Sequence, residues 1–195
     1  VLWTPTAERA EASRMAEFMR WLGTERGLSF AGFNELWEWS VSDLDGFWSA
    51  VWEFFDIPHS ATYDQVLADR KMPGAVWFPG ARLNFAELIL RQAARTPDAI
   101  ALVVRSETSG RIELSWQEFS DQVASVAAEL RNMGVAQGDR VVAILPNTEV
   151  AMIACLATAS IGAIWSLCAP DMGHVAILDR FRQIEPKVLI AQDGY

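Results

Sequence analysis

Two thiols, two imidazoles and one short polar turn have the most scope for chemistry in this sequence. Cys155 and Cys168 are its cysteines, and His59 and His174 its histidines. Cys168 and His174 stand close enough in the chain to form a nucleophile and its base. A reactive thiol needs an accessible, electropositive setting, and Cys168 ends an apolar strand pattern, so packing is its expected role. Neither histidine falls in an HExxH or a Cys/His ligand spacing, so a zinc site has no support. His59, beside Pro58, reads as a surface turn residue. No GxGxxG, GxxxxGK[ST] or GxSxG is present, which removes the usual phosphate cradles and the serine-hydrolase elbow. The residues themselves assign no catalytic group and no metal ligand.

The stretch SLCAPDMGH, Ser166 to His174, combines polar groups with a telling position. It begins where a parallel strand is expected to end, and open α/β sheets bind ligands beyond the carboxyl ends of their strands. Pro170 and Gly173 shape a turn, while Asp171 and the backbone amides opening the next helix offer polar contacts. The alternative is that Asp171 merely caps that helix.

From Ala99 onward the chain alternates in a way that would position such a turn. AIALVVR and RIELS read as strands, followed by a long helix through WQEFSDQVASVAAELRNMG. RVVAIL, a helix over NTEVAMIACLATAS, AIWSL, a helix over HVAILDRFRQI and KVLIA complete the series. Strands and helices in alternation are the pattern of parallel-sheet units. Gly134 stands where a left-handed cap would end the long helix, and Gly138 with Asp139 marks the turn into the next strand. Val150 to Ala169 carries no charged side chain, and about 20 apolar residues are enough for a membrane span. Thr158, Ser160 and Gly162 interrupt this run, and no basic flank adjoins it. It therefore reads as a buried helix, a turn at Gly162 and a strand buried on both faces, with no membrane partner.

The first 80 residues have a different character. Seven of the nine tryptophans fall at or before Trp77, and alternating strand patterns are scarce. Thr6 is expected to cap one helix carrying Met15, Phe18, Met19 and Leu22 on a single face, ended by Gly23 and Gly27. FNELWEWS predicts a second helix. Ser42 and Asp45 suggest a weak capping box for a third, over LDGFWSAVWEFFDI, with Leu44, Phe47, Trp48, Val51 and Phe55 along one face and Pro58 closing it. The aromatic stripes read as packing. KMPGAVWFPGARLN reads as a loop joining this segment to a helix over residues 84–95.

Composition narrows the class. At 195 residues, 51% hydrophobic and 21% charged, the chain is of ordinary globular balance. The net charge of −9, with acids exceeding bases both before and after residue 80, disfavours nucleic acid as a partner. Two cysteines within an apolar stretch suggest buried thiols and a reducing compartment. The charged first residues give no sign of a secretion signal, so the expected location is cytoplasmic.

Several strings resemble the N-terminal part of the adenylate-forming acyl-CoA synthetases. They are FPGARLNFAE at Phe78–Glu87, the run from Leu114 to Ser166, and VLIAQDGY at the end. Within that family, IGAIWSLCAPDMG followed by ILDRFRQIEPKVLIAQDGY is most similar to the acetoacetate-activating synthetases. The acetyl and propionyl branches carry a phenylalanine and two glycines where Ala169, Pro170 and Asp171 stand here, and a histidine at Trp165. The resemblance implies an α/β fold in which residues 1–78 form a Trp-rich helical extension. Residues 79–195 would then begin an AMP-binding domain, its mostly parallel sheet covered by helices. It also implies ATP, Mg2+ and CoA as cofactors, acetoacetate as substrate, and the remainder of a longer polypeptide as partner. In the family the phosphate loop, the acyl pocket and a lysine on a mobile C-terminal domain fall outside residues 1–195. Ala169, Pro170 and Asp171 fall on the turn that lines the CoA adenine in the acetyl relatives. A ligase for another short acyl acid and a non-catalytic interaction module remain alternatives.

Overall fold

A computed structural model describes residues 2–106 and 110–193. Contacts divide the chain into two compact units, Val1–Leu83 and Asn84–Tyr195.

The first unit is mainly helical. Helices α1 (Ala7–Glu11) and α2 (Arg14–Arg26) replace the single helix expected here. Thr6 caps α1 as expected, but the chain breaks after Glu11, and the Ser13 hydroxyl accepts from Ala16 N–H to start α2. Gly23 lies inside α2; the left-handed Gly27, at φ +66°, ends it by donating to Leu22 O. Helix α3 (Phe33–Ser42) leads into α4 (Leu44–Phe54), and the capping residue between them is Asp43. Asp43 accepts from Gly46 N–H, whereas Ser42 turns its hydroxyl back to Glu38 O and Trp39 O. An acidic side chain one residue nearer the helix thus takes the cap expected of Ser42.

Phe18, Leu22, Leu36 and Ala50 form the core of this unit, with Phe47 and Phe54 packed on Phe18 at ring distances of 6.2 and 5.0 Å. The tryptophans serve this core less than their spacing implied. Trp21 and Trp39 pack beside it, and Trp52 joins Tyr63 and Phe78, but Trp3, Trp37, Trp48 and Trp77 are exposed. The stretch read as a plain joint contains a strand. β1 (Leu67–Asp69) and β2 (Val76–Trp77) pair antiparallel, and Phe78 N–H donates to Val66 O at 2.8 Å.

The second unit opens with α5 (Phe85–Leu90) and α6 (Gln92–Arg95), parted at Arg91. β3 (Ile100–Ser106) and β4 (Gly110–Ser115) follow, and here the parallel expectation fails, because they pair antiparallel as a separate two-stranded ribbon. Helix α7 (Trp116–Asn132) starts on a reciprocal capping box of Ser115 and Glu118. The parallel units then appear: β5 (Arg140–Ile144), α8 (Glu149–Ser160), β6 (Ile164–Cys168), α9 (His174–Arg182) and β7 (Val188–Ala191). The three strands order as β6-β5-β7, all parallel.

Adjacent residues of β5 face opposite sides of the sheet. Val141 joins Phe119, Val123, Ile153 and Leu156 of α7 and α8, while Val142 joins Cys168, Ile177 and Phe181 of β6 and α9. The uncharged run is therefore core in its helical part, with Ile153, Ala154, Leu156, Ala157 and Thr158 buried. Gly162, at φ +74°, makes the expected turn. No helix among the described residues is long and apolar enough to cross a membrane. The strand part departs from expectation: β6 pairs with β5 along one edge, and its Ile164 is 52% and Leu167 44% exposed. In β5, by contrast, Val141, Val142 and Ala143 are all fully buried.

Asn84 fixes the start of this unit. Its Oδ1 accepts from Ala86 N–H at 2.9 Å, and its Nδ2 donates to Ala159 O and Ser160 O at 3.1 Å each. One side chain thus satisfies the first turn of α5 and the last carbonyls of α8. Asn84→Ala is expected to cost about 1–2 kcal/mol, the scale of a lost cap with its hydrogen bonds, read as a lower melting temperature. Asn84→Asp keeps the cap acceptor but sets a carboxylate against two carbonyl oxygens, so it should destabilise as well; wild-type stability would show that the α8 contact contributes nothing.

Asp139 accepts from Lys187 Nζ at 2.9 Å and from Ala136 N–H at 2.8 Å. The Lys187 bond first, then the Ala136 amide, holds its carboxyl below the ordinary aspartate value of 3.8. A folded value below the unfolded one stabilises the fold above the unfolded value, and that contribution is lost as pH falls through the folded value. Lys187→Gln should therefore lower melting temperature near neutrality, with a deficit that shrinks as pH drops from about 6 to about 3. A deficit constant over that range would contradict this account.

Candidate functional site

The parallel register places three strand ends on one edge, with Ile144 opposite both Cys168 and Ala191. Helices α8 and α9 pack on opposite faces of β5, so the chains leaving β5 and β6 diverge. A crevice at such a divergence is where open α/β sheets receive ligands.

The turn after β6 is closed by Met172 N–H donating to Ala169 O at 3.2 Å, which puts Pro170 and Asp171 at its corners. Ala169 and Asp171 are exposed and Pro170 is half-buried. Met172 points the other way, packing on the cluster of Val142, Cys168, Ile177 and Phe181. Gly173 then takes φ +47°, a conformation that favours glycine, and occupies the cap position of α9. No side chain caps α9. The alternative reading of Asp171 as a helix cap is thereby corrected: the cap falls two residues later, on a residue without a side chain. The turn presents Asp171 and a short backbone edge to solvent.

The other candidate groups are not drawn together. Cys168 is 2% exposed, so its thiol cannot meet a substrate without unfolding the strand end. His174, the first residue of α9, is exposed. Cys155 is half-buried, and that burial raises its thiol pKa, the reverse of what a nucleophile needs. His59 is exposed, its Nδ1 2.7 Å from Ile57 O and its ring 5.3 Å from that of Trp52, but it lies just past the turn at Phe55–Asp56 rather than in one. Among the described residues no group of three His, Cys, Asp or Glu side chains could hold a metal ion.

One feature went unseen in the sequence. A cleft of about 450 Å³ opens at the ends of β5 and β7, lined by Leu145, Thr148, Glu149, Gln192 and Asp193, with Ser106 and Ile112 of the ribbon. Thr148 stands at the cap position of α8, yet its side chain makes no cap bond, and its Oγ1 is shielded from solvent without a partner. Pro146-Asn147-Thr148, a turn directly after an apolar strand, was the available signal. It is the counterpart of the turn after β6.

Comparison with known proteins bears on both units. The family model for the acetyl-coenzyme A synthetase N-terminus matches residues 33–88, and that for AMP-binding enzyme matches residues 89–194. The acetoacetyl-coenzyme A synthetase of Rhizobium meliloti (strain 1021) is 43% identical over 194 residues, covering 100% of this chain and 29% of that protein. The acetoacetyl-CoA synthetase of Mus musculus is 42% identical over 197 residues, again covering 100% and 29%. The solved acetoacetyl-CoA synthetase from Streptomyces lividans superposes with a TM-score of 0.93 at 49% identity, covering 100% of this chain and 30% of that one. The chain spans less than a third of the length of these relatives. The AMP-binding match alone takes in more than half of the residues and carries the three-stranded parallel sheet with its strand-end turns, so this chain belongs to the AMP-binding enzyme family.

Proposed function

We propose that the chain is the N-terminal part of an acetoacetate–CoA ligase. The observation that carries this reading is agreement over all of this chain with acetoacetyl-CoA synthetases, in sequence at 41–43% identity and in fold at a TM-score of 0.93. Residues 1–78 would be the helical extension and residues 79–195 the start of the AMP-binding domain. The whole enzyme would join acetoacetate to ATP, giving acetoacetyl adenylate and pyrophosphate, after which the thiol of CoA displaces AMP. A carboxylate is a poor electrophile, and conversion to a mixed anhydride with AMP supplies the leaving group that thiol attack requires. Two cysteines free of any disulfide, one of them buried, support a reducing, cytoplasmic setting.

This chain's own contribution to that chemistry is a binding surface. The strand-end turn, Ala169, Pro170 and Asp171, is proposed to border CoA. Its exposure, its position at the carboxyl edge of the sheet and its alignment with the adenine-lining turn of the acetyl relatives support the assignment. Binding there fixes the nucleotide and leaves adenylation to groups elsewhere in the polypeptide.

Purified residues 1–195 are expected to release no pyrophosphate from ATP and acetoacetate above a blank without protein. Measurable release would refute the division of labour proposed here. In the complete enzyme, Asp171→Arg should reposition or exclude the nucleotide, raising the apparent KM for CoA while ATP–pyrophosphate exchange stays near wild type. Loss of exchange with an unchanged KM for CoA would overturn the assignment.

A further inference from the structure

The turn that meets solvent at Asp171 is anchored by its neighbour. Met172 closes the turn through its N–H to Ala169 O, and its side chain packs on Val142, Cys168, Ile177 and Phe181. The cluster draws its residues from β5, β6 and α9, so the Met172 side chain seats the turn against the part of the core that these elements share. The segment has little else to hold it. Among the described residues Asp171 has no hydrogen bond or ion pair, no side chain caps α9, and Gly173 connects turn to helix at φ +47° without a Cβ. A turn with one closing hydrogen bond and one half-buried anchor takes its position from that anchor.

We infer that Met172 is a positioning residue that sets where the Ala169–Asp171 turn stands above the sheet edge, and hence how well the turn receives CoA. This inference rests on the CoA reading of the turn given above. Met172 itself touches no ligand in this scheme. Its thioether side chain packs, half-buried, against this cluster, and shortening it would let the turn settle toward the vacated volume. A misplacement of about 1 Å can cost about two orders of magnitude where groups must meet in a defined geometry, so a shift of the turn should weaken its fit to CoA.

The test uses the complete enzyme, with CoA as the varied substrate, and compares Met172→Ala, Met172→Leu and Asp171→Arg. Met172→Ala should raise the KM for CoA roughly tenfold while kcat at saturating CoA falls by less than about twofold. Met172→Leu, of similar volume, should restore KM to within about threefold of wild type. A purely structural role would lower melting temperature or soluble yield in Met172→Ala and leave the KM for CoA unchanged, which would overturn the inference. So would a rise in KM that leucine does not rescue. If Asp171→Arg raises the KM for CoA and Met172→Ala does not, the turn is a CoA surface and Met172 is not its anchor. If neither variant changes the KM for CoA, the CoA reading itself fails and the inference falls with it. If Met172→Ala cannot be recovered folded, Met172→Val provides the smaller truncation, and an unchanged KM there would also overturn the claim.

Discussion

Burial of β5 on both faces is the constraint from which the rest of the second unit follows. Val141, Val142 and Ala143 are fully buried, and each faces a different set of neighbours from the residue before it. Burying a valine side chain is worth about 1.5–3 kcal/mol, and β5 gains this on its two sides at once. It must therefore be sandwiched, with α7 and α8 over one face and α9 over the other. Its backbone is also paired on both edges, to β6 and to β7, so none of its ladder groups is stranded.

The same constraint creates the candidate site. With helices leaving β5 and β6 toward opposite faces, the strand-end loops part over the carboxyl edge of the sheet. One of these loops carries Asp171, and the other borders the cleft at Thr148. The first of these loops presents Asp171 to solvent, and the second holds the shielded, unpartnered Oγ1 of Thr148. The two cysteines illustrate the difference between chemistry and packing. Cys168 sits in the α9 core, and burial disfavours the thiolate form of Cys155.

The helical unit obeys a different logic. Its core is small, four buried residues ringed by half-buried aromatics, and its organisation depends on caps and aromatic edges more than on volume. Ser13, Gly27 and Asp43 decide where helices start and stop, and each acts within a few residues of itself. Arg26 ties the end of α2 to α4 through Glu53 at 2.8 Å and Ser49 at 2.9 Å. The exposed tryptophans on this unit show that helical spacing of aromatics identifies a face without saying whether anything covers it.

Local signals in the sequence determined most of the elements. The helix and strand positions from Ala99 onward, the turns at Gly134 and Gly162 and the non-spanning nature of Val150–Ala169 all depend on periodicity or on residues within one turn of each other. The family was legible for the same reason, since its strings are contiguous. Pairing was not legible. Whether β3 and β4 join the parallel sheet or stand apart is decided by partners far along the chain, and short apolar runs look alike in either case. Strand order was equally hidden, so the strand at Ile164–Cys168, expected to be buried on both faces, instead lies along one edge of β5. The break between α1 and α2 and the shift of a cap from Ser42 to Asp43 turned on competition between adjacent polar side chains for the same amides. The SLCAPDMGH turn could be found from the sequence as the end of an apolar run. That Asp171 stands free of α9 while Met172 anchors the turn required the tertiary structure, because only the packing of β5, β6 and α9 determines which side chain of the turn faces inward.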